Sequence, residues 1–356
     1  MSSLPRDFLD AHHHFLDTKS NGTTFQKFLA KLLPNFSYLA DDYHRDVIDP
    51  LQRAGINFRG SIHIECIPDN GIDEANWVAD SAKNNSAPTS SSIKGIVASC
   101  DLAQECVLQV EKELQELSQI DNVKGIRWIL DCVGKFNGGK DATHVATTRH
   151  DGIDYLRGSE GGYDGQALPA FEKGFGLLEK YNFTFDLQCA PAQLEAASEL
   201  CARHPNTKVV IDHLGKPRTL LGADTEENRN NTTVPDESEL ALWRNGMRCI
   251  AKNRNVYVKI SMLGYAIPGW IRTEARIDLM KSLVKETVEI FGPERCMVAT
   301  NFWKDAAMSD NDGLSDVGPE VLRFLDLIYC FLKDDYSEKD MDRIFCTTAK
   351  EFYNLQ

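Results

Sequence analysis

Short runs of apolar, often β-branched residues alternate along this chain with longer stretches in which apolar positions recur every three or four residues. That alternation is what a parallel sheet with crossover helices requires. Strands are predicted at Phe8–Ala11, Gly60–Cys66, Gly95–Ser99, Val123–Ile129, Thr184–Leu187, Lys208–Ile211, Val256–Ile260 and Cys296–Ala299. Eight such runs match the strand count of a (β/α)8 TIM barrel. Helical periodicity is readable in Val107–Leu117, Ala192–Arg203 (just after Pro191, a good first-turn residue), Leu240–Lys252 and Ile277–Phe291. Met341–Tyr353 reads as a closing helix packed on the barrel wall. Two segments break the rhythm and are read as loop insertions that distort the barrel. Gly134–Gly165 is rich in Gly, His and Asp, and Leu221–Glu239 is polar and acidic. Neither a linker nor an internal repeat divides the chain, so residues 1–356 are expected to form one domain.

Composition narrows the partners. With 42% hydrophobic residues the chain can bury a large core. A net charge of -14 argues against a nucleic-acid binder, which needs a basic face. No run approaches the roughly 20 apolar residues of a membrane span, and the first residues carry no apolar signal core. The expectation is a cytoplasmic protein acting on a small molecule, with no nucleic-acid or membrane partner; a homo-oligomer is left open. Ten cysteines without CxxC spacing read as reduced thiols.

Barrel active sites lie at the C-terminal ends of the strands, so polar residues that close apolar runs are the candidates. The first strand ends in Asp10-Ala11-His12-His13-His14. Alternation turns His12 and His14 to one side and His13 to the other. Two imidazoles on one side can share a metal ion or grip an anionic oxygen. The sixth strand runs from apolar residues into Asp212-His213 and a glycine turn, and a polar pair closing a buried strand is costly unless bonded or used.

The ordered set DAHHHF, VKGIR, FDLQ, HPNTKVVIDHLGKP, NVYVKIS and FCTTAKEFY resembles the amidohydrolase-related branch of the amidohydrolase superfamily. That branch holds fuconolactonase-like sugar lactonases and 2-pyrone-4,6-dicarboxylate hydrolases. The resemblance spans nearly the whole chain. It implies that His12, His14 and His213 bind one divalent metal, zinc or manganese, or bind substrate oxygens directly, as in members that work without metal. It implies that Arg127 grips a substrate carboxylate or polarises its carbonyl, and that Gln188 lines the pocket. His63 and Glu65 alternate along the second strand and are expected to face the barrel interior together. Lys216 and Ser261 are further pocket candidates. Lys259 shares its facing with Ser261 and reads as a buried cation.

One departure bears on catalysis. Where the family ends its eighth strand in an aspartate that serves as general base, this chain reads MVATNFWKD and carries Asn301. A carboxamide cannot shuttle a proton, and losing a general base costs about 10²–10⁴ in rate. Asp305, Glu65 and Asp186 are the candidate replacements; a metal-bound hydroxide needs less help; a barrel that binds without turnover is the third reading. Trp303, Met308, Asp310 and Asp312 follow as a mouth-covering or surface run. His144, Arg149, His150 and Arg157 give the first insertion an anion-facing character. The leading expectation is hydrolysis of a lactone or other cyclic ester of a small polar acid. The alternatives are a non-oxidative decarboxylase and a catalytically lapsed ligand-binding barrel.

Overall fold

A computed structural model describes residues 4–17, 37–84, 92–131, 153–157, 167–217, 220–221, 234–267, 269–301 and 320–355. Eight parallel strands form one sheet in sequence order: β1 (Asp7–His13), β2 (Asn57–Ile64), β3 (Ile93–Ser99), β4 (Val123–Arg127), β5 (Thr184–Leu187), β6 (Val209–Ile211), β7 (Val256–Ile260) and β8 (Cys296–Val298). The sheet curls into a nearly closed (β/α)8 TIM barrel. Each strand begins within three residues of the apolar run that predicted it.

The seam between β8 and β1 is closed by a side chain as much as by backbone. Asn301 donates its N–H to the His12 carbonyl at 2.8 Å. Thr300 donates through its N–H (2.9 Å) and Oγ1 (2.6 Å) to the Asp10 carboxylate, which also accepts from Tyr43 (2.7 Å). Burial pushes the Asp10 carboxyl up in spite of these donors.

The helices follow their apolar stripes. Val107–Leu117 buries Val110, Leu114 and Leu117 and leaves Leu108 outside. Glu237–Ile250 starts on the Asp236 carboxylate, which accepts from the Ser238 and Glu239 N–H groups. This helix starts inside the predicted acidic loop; residues 222–233 of that loop lie outside the described residues. Glu274–Phe291 begins on Thr273 and stops at Gly292, whose φ of +80° suits glycine. Helices at Gly71–Asn84, Pro169–Lys180 and Val321–Leu332, and the helical run at residues 40–53 between β1 and β2, were not expected.

The closing helix is present but placed otherwise than expected over part of its length. It runs without a break through Glu338–Asp342, a π-helical turn at Arg343–Thr347, and Thr348–Phe352, and its Met341, Ile344 and Phe345 join the core around the strands. Its Cys346, Ala349, Phe352 and Tyr353 pack against Leu9, Ala11, Ile62, Ile64, Val97, Val210, Met297 and Ala299, the apolar lining of the barrel. The segment therefore plugs the N-terminal end. It is pinned by Lys208, just before β6, which donates to the Glu351 and Phe352 carbonyls at 2.9 and 3.3 Å. Of the first insertion, residues 153–157 form a short turn whose Leu156 is buried and whose Asp154 accepts from Gln193 Nε2 at 3.0 Å. Arg157 is exposed, while His144, Arg149 and His150 lie outside the described residues.

Candidate active site

The site begins with an irregularity in β1. Asp10 pairs with Ser61 and the next paired residue is His13, with His63, so β1 carries one residue more than β2 between the two pairs. Such a bulge resets the alternation. Leu9 and Ala11 line the barrel below it; above it His12 and His14 turn inward, with their Nε2 atoms 3.2 Å apart. His13 turns outward onto Tyr43 and Phe15, with ring centroids at 4.5 and 4.9 Å.

His213 comes to the same place from β6. Its ring centroid lies 4.9 Å from that of His12, and its Nδ1 meets Ser261 Oγ at 2.9 Å. The chain reaches this position through a strained turn. His213, Leu214, Gly215 and Lys216 all have positive φ, between 54° and 70°, a left-handed turn that costs roughly 1–2 kcal/mol per non-glycine residue. It is held by Trp243, which donates Nε1–H to the Leu214 carbonyl at 2.7 Å. Glycine is required at 215 twice over, since a Cβ there would also lie 2.8 Å from Met247 Sδ. The turn carries Lys216 back onto Asp131, a buried pair. Ile67, Met262 and Asn301, just past the ends of β2, β7 and β8, also have positive φ. The other described residues of this kind are Asn122, Asn182 and Asn354, a residue type that tolerates this conformation. Backbone strain in bulky residues is thus concentrated at the barrel mouth, where it commonly accompanies function.

Around the imidazoles lies a ring of buried charge. Arg127 Nε donates to Glu65 Oε1 at 2.8 Å, and its Nη1 lies 3.5 Å from Gln188 Oε1 and 3.6 Å from Asp212 Oδ2. Gln188 Nε2 is buried without a hydrogen-bond partner among the described residues, and so is Asn301 Oδ1. The Asn301 amide nitrogen rests against Met262 Sδ at 2.7 Å. Lys259, from β7, pairs with Asp186 and, at 3.0 Å, with Asp212. Tyr353 of the plug donates to Asp186 at 2.9 Å.

These neighbours set protonation. Burial above all, then Lys259, pulls the His12 pKa well below the ordinary imidazole value. Burial and then Arg127 do the same to His14. Burial brings His213 down to about 3 against the upward pull of Asp212. Burial pushes Asp212 up, but Lys259, His12 and His213 outweigh it and keep the carboxyl well below its usual range. Burial lifts Asp186 to about 6 despite Lys259. The site therefore presents neutral imidazoles beside the ionised Asp212 carboxylate and among buried ion pairs.

The structure brings together His12, His14, His213, Arg127, Glu65, Gln188 and Ser261, with Asn301 joined to His12 across the seam. Lys216 sits at the rim, held by Asp131. His63 does not share the facing of Glu65, contrary to expectation. Ile62 and Ile64 line the interior, so His63, between them, points outward onto Phe15 and His13 at 5.5 and 5.6 Å. The strand ends at Ile64, and Glu65 is free of its alternation. Of the candidate replacement bases, Glu65 is tied to Arg127 and to the Ile67 N–H (2.9 Å). Asp186 is tied to Lys259 and Tyr353. Asp305, Trp303, Met308, Asp310 and Asp312 lie outside the described residues. Asp212 and Lys259 carry more of the site than sequence reasoning gave them. The available signal was a charged residue inside an otherwise apolar strand end.

The donors suit a divalent cation. One ligand atom from each of His12, Asp212 and His213 lies within 4.8 Å of the others, all buried. The 3.2 Å between the His12 and His14 Nε2 atoms is close to the edge of a tetrahedron with Zn–N bonds of about 2.0–2.1 Å. Neutral imidazoles with one carboxylate are a zinc-type donor set.

Comparison with known proteins gives the same fold and a family. The amidohydrolase family model matches residues 9–355. The chain is 25% identical to y4mH, an uncharacterised protein of Sinorhizobium fredii, over 86% of this chain and 88% of that one. It is 29% identical to an L-fucono-1,5-lactonase of Burkholderia multivorans over 37% of this chain and 41% of the lactonase. A solved amidohydrolase of Burkholderia multivorans with bound zinc superposes with a TM-score of 0.66 at 20% identity, covering 98% of this chain and 99% of that one. A probable 2-pyrone-4,6-dicarboxylic acid hydrolase of Acinetobacter baumannii with bound citric acid gives 0.55 at 12% identity, over 98% and 99%.

Proposed function

The chain belongs to the amidohydrolase family, and from that premise we propose that it hydrolyses the ring ester of a small, polar, hydroxylated or dicarboxylic acid. The observation that carries the reading is the convergence of three neutral imidazoles on one fully buried guanidinium. Arg127 is held through Nε and Nη2 by the Glu65 carboxylate and carbonyl, which leaves Nη1, beside Gln188 and Asp212, to meet a carboxylate or a lactone carbonyl. Gln188 supplies a donor that has no other use among the described residues. A buried donor of this kind favours a substrate with a hydroxyl or carbonyl at that place.

His12, His14 and His213, with Asp212, would hold a divalent metal, zinc by donor type. When bound it would polarise a carbonyl and acidify water. The chain's own residues do the remaining work. Asn301 Oδ1 accepts a hydrogen bond from the attacking water and orients it, but cannot take its proton. Glu65 and Asp186 are tied down in ion pairs. The proton acceptor is therefore an imidazole; a ring nitrogen on a metal cannot take a proton, so His213, oriented by Ser261, is the candidate in the metal-free protein. It takes the proton of the water that adds to the carbonyl carbon and returns it to the ring oxygen as that C–O bond breaks. An imidazole with so low a pKa is a weak base, so turnover is slow beside that of relatives with a carboxylate.

A pH-indicator assay against sugar-acid and muconate-type lactones, with and without added zinc or manganese, tests the reading. Slow hydrolysis is expected from the parent and faster hydrolysis from Asn301→Asp. No turnover by either protein would defeat it. An inert parent with an active Asn301→Asp variant would support the second reading, a lapsed enzyme that retains its binding pocket, which Asn301 itself favours.

A further inference from the structure

Lys259 has no part in the chemistry proposed above, yet it sits at the centre of the buried polar cluster. Its ammonium has three hydrogens and three acceptors in reach. These are Asp186 Oδ2, Asp212 Oδ1 at 3.0 Å, and His12 Nδ1 at 3.2 Å.

The proton positions of the histidine pair can be worked out from both ends. An ammonium donates and cannot accept, so His12 Nδ1, facing Lys259, is the bare nitrogen of the ring. A neutral ring with a bare Nδ1 carries its proton on Nε2. At the far end, His14 Nδ1 faces the Ile64 carbonyl at 2.8 Å, and a carbonyl only accepts. His14 Nδ1 therefore carries the proton and its Nε2 is bare. One proton is needed between the two Nε2 atoms 3.2 Å apart, and both lines of reasoning put it on His12. Donation runs from Lys259 to His12 Nδ1, from His12 Nε2 to His14 Nε2, and from His14 Nδ1 to Ile64 O. The other tautomer of His12 would donate Nδ1–H to Asp212 Oδ1, which stands farther off at 3.5 Å.

We infer that Lys259 is a positioning residue that favours the His12 tautomer protonated on Nε2 and so weakens, without abolishing, the hold of the first-strand histidine pair on a divalent cation. A cation shared by both Nε2 atoms needs both of them bare. The His12 proton must then move to Nδ1, Lys259 must leave that nitrogen, and Asp212 must take over as its acceptor. Binding of the ion competes with a hydrogen bond from a charged donor. The inference rests on the reading of His12 and His14 as ligands, but not on the hydrolase activity.

The test uses the whole chain stripped of metal, with zinc ion as the probe. Removing the Lys259 cation alone leaves two buried carboxylates near each other. Lys259→Met is therefore paired with Lys259→Met/Asp186→Asn, which keeps the net charge of the cluster, and both are checked for folding by thermal melting. Nitrogen-15 NMR of labelled histidines reports the tautomers. In the metal-free parent, His12 is expected to be protonated on Nε2 and bare on Nδ1; in the folded variants, where His14 Nε2 still calls for that proton, added zinc moves it to Nδ1 at a lower concentration than in the parent. Zinc affinity, read by competition with a chromogenic chelator, is expected to rise roughly 10–100-fold, the equivalent of one hydrogen bond to a charged group. A parent His12 protonated on Nδ1 overturns the inference, and so does a zinc affinity that ignores the charge-balanced variant. Lactone assays that fail while both shifts occur would remove the hydrolase reading and uphold this one.

Discussion

At the N-terminal end of the barrel, Phe352 and Tyr353 close over Leu9, Ile62, Val210 and Met297, all buried and apolar, and the non-glycine left-handed residues nearby are asparagines, which tolerate that conformation. At the C-terminal end, the same strands run out into three imidazoles, buried ion pairs and residues such as Ile67, Leu214 and Met262 in left-handed conformations. One end gains stability from packing. The other gives some of it up to hold polar groups in fixed positions without water. The two ends are linked through Tyr353, whose hydroxyl meets Asp186 beneath Lys259. Truncations at the plug should therefore change folding and leave chemistry alone, and exchanges of the polar site side chains at the mouth the reverse, while changes to the backbone turns of the mouth cost stability.

The largest effect expected is at the mouth. Asn301→Asp puts a carboxylate where the water is oriented, and kcat should rise by about 10²–10⁴, the usual contribution of a general base. The lactone assay reads it, and an unchanged or lower kcat would place the proton acceptor elsewhere. Next comes the plug. Phe352→Ala removes a fully buried ring and should cost about 3–5 kcal/mol in denaturant unfolding, with kcat per folded molecule unchanged. A loss of kcat without a loss of stability would break the contrast between the ends.

Smaller effects sharpen it. Gly215→Ala forces a side chain into a left-handed turn and against Met247, and should cost at least about 1–2 kcal/mol, seen as a lower unfolding midpoint. The buried histidines give a pH dependence of definite sign. His63 is neutral in the native state because burial, then His13 and His14, pull its pKa well below 6.5. The unfolded chain takes up that proton as pH falls through about 6.5 while the folded chain does not, so stability is full above that pH and is lost below it. The slope is about 1.4 kcal/mol per pH unit for this one group. Replacing it in His63→Phe should flatten the stability–pH curve of metal-free protein between pH 6.5 and 5 by that amount. An identical slope would mean that His63 is already charged or solvated.

The strands were legible because eight apolar runs stand apart from longer amphipathic stretches, and the spacing of His12 and His14 and the Asp212-His213 pair marked the mouth. The facing of His63 was not legible, since alternation counts positions from an assumed register, and in this barrel Ile62 and Ile64 take the interior. The β1 bulge is likewise invisible in DAHHHF, although it is what turns His12 inward directly after Ala11. Met341–Tyr353 has a helix-like apolar period, but a period cannot say whether its apolar face meets a wall or the end of a barrel. The contact between Lys259 and His12 joins residues far apart in the chain, and only the closing of the sheet brings them together.

If the imidazole cluster serves chemistry rather than stability, His213→Gln separates the two. Thermal midpoint and kcat/KM for lactone hydrolysis are measured on the same preparation. The kcat/KM is expected to fall by about 10² or more while the midpoint stays within a few degrees of the parent. A midpoint that drops steeply with kcat/KM per folded molecule preserved would make His213 a structural histidine and contradict the account.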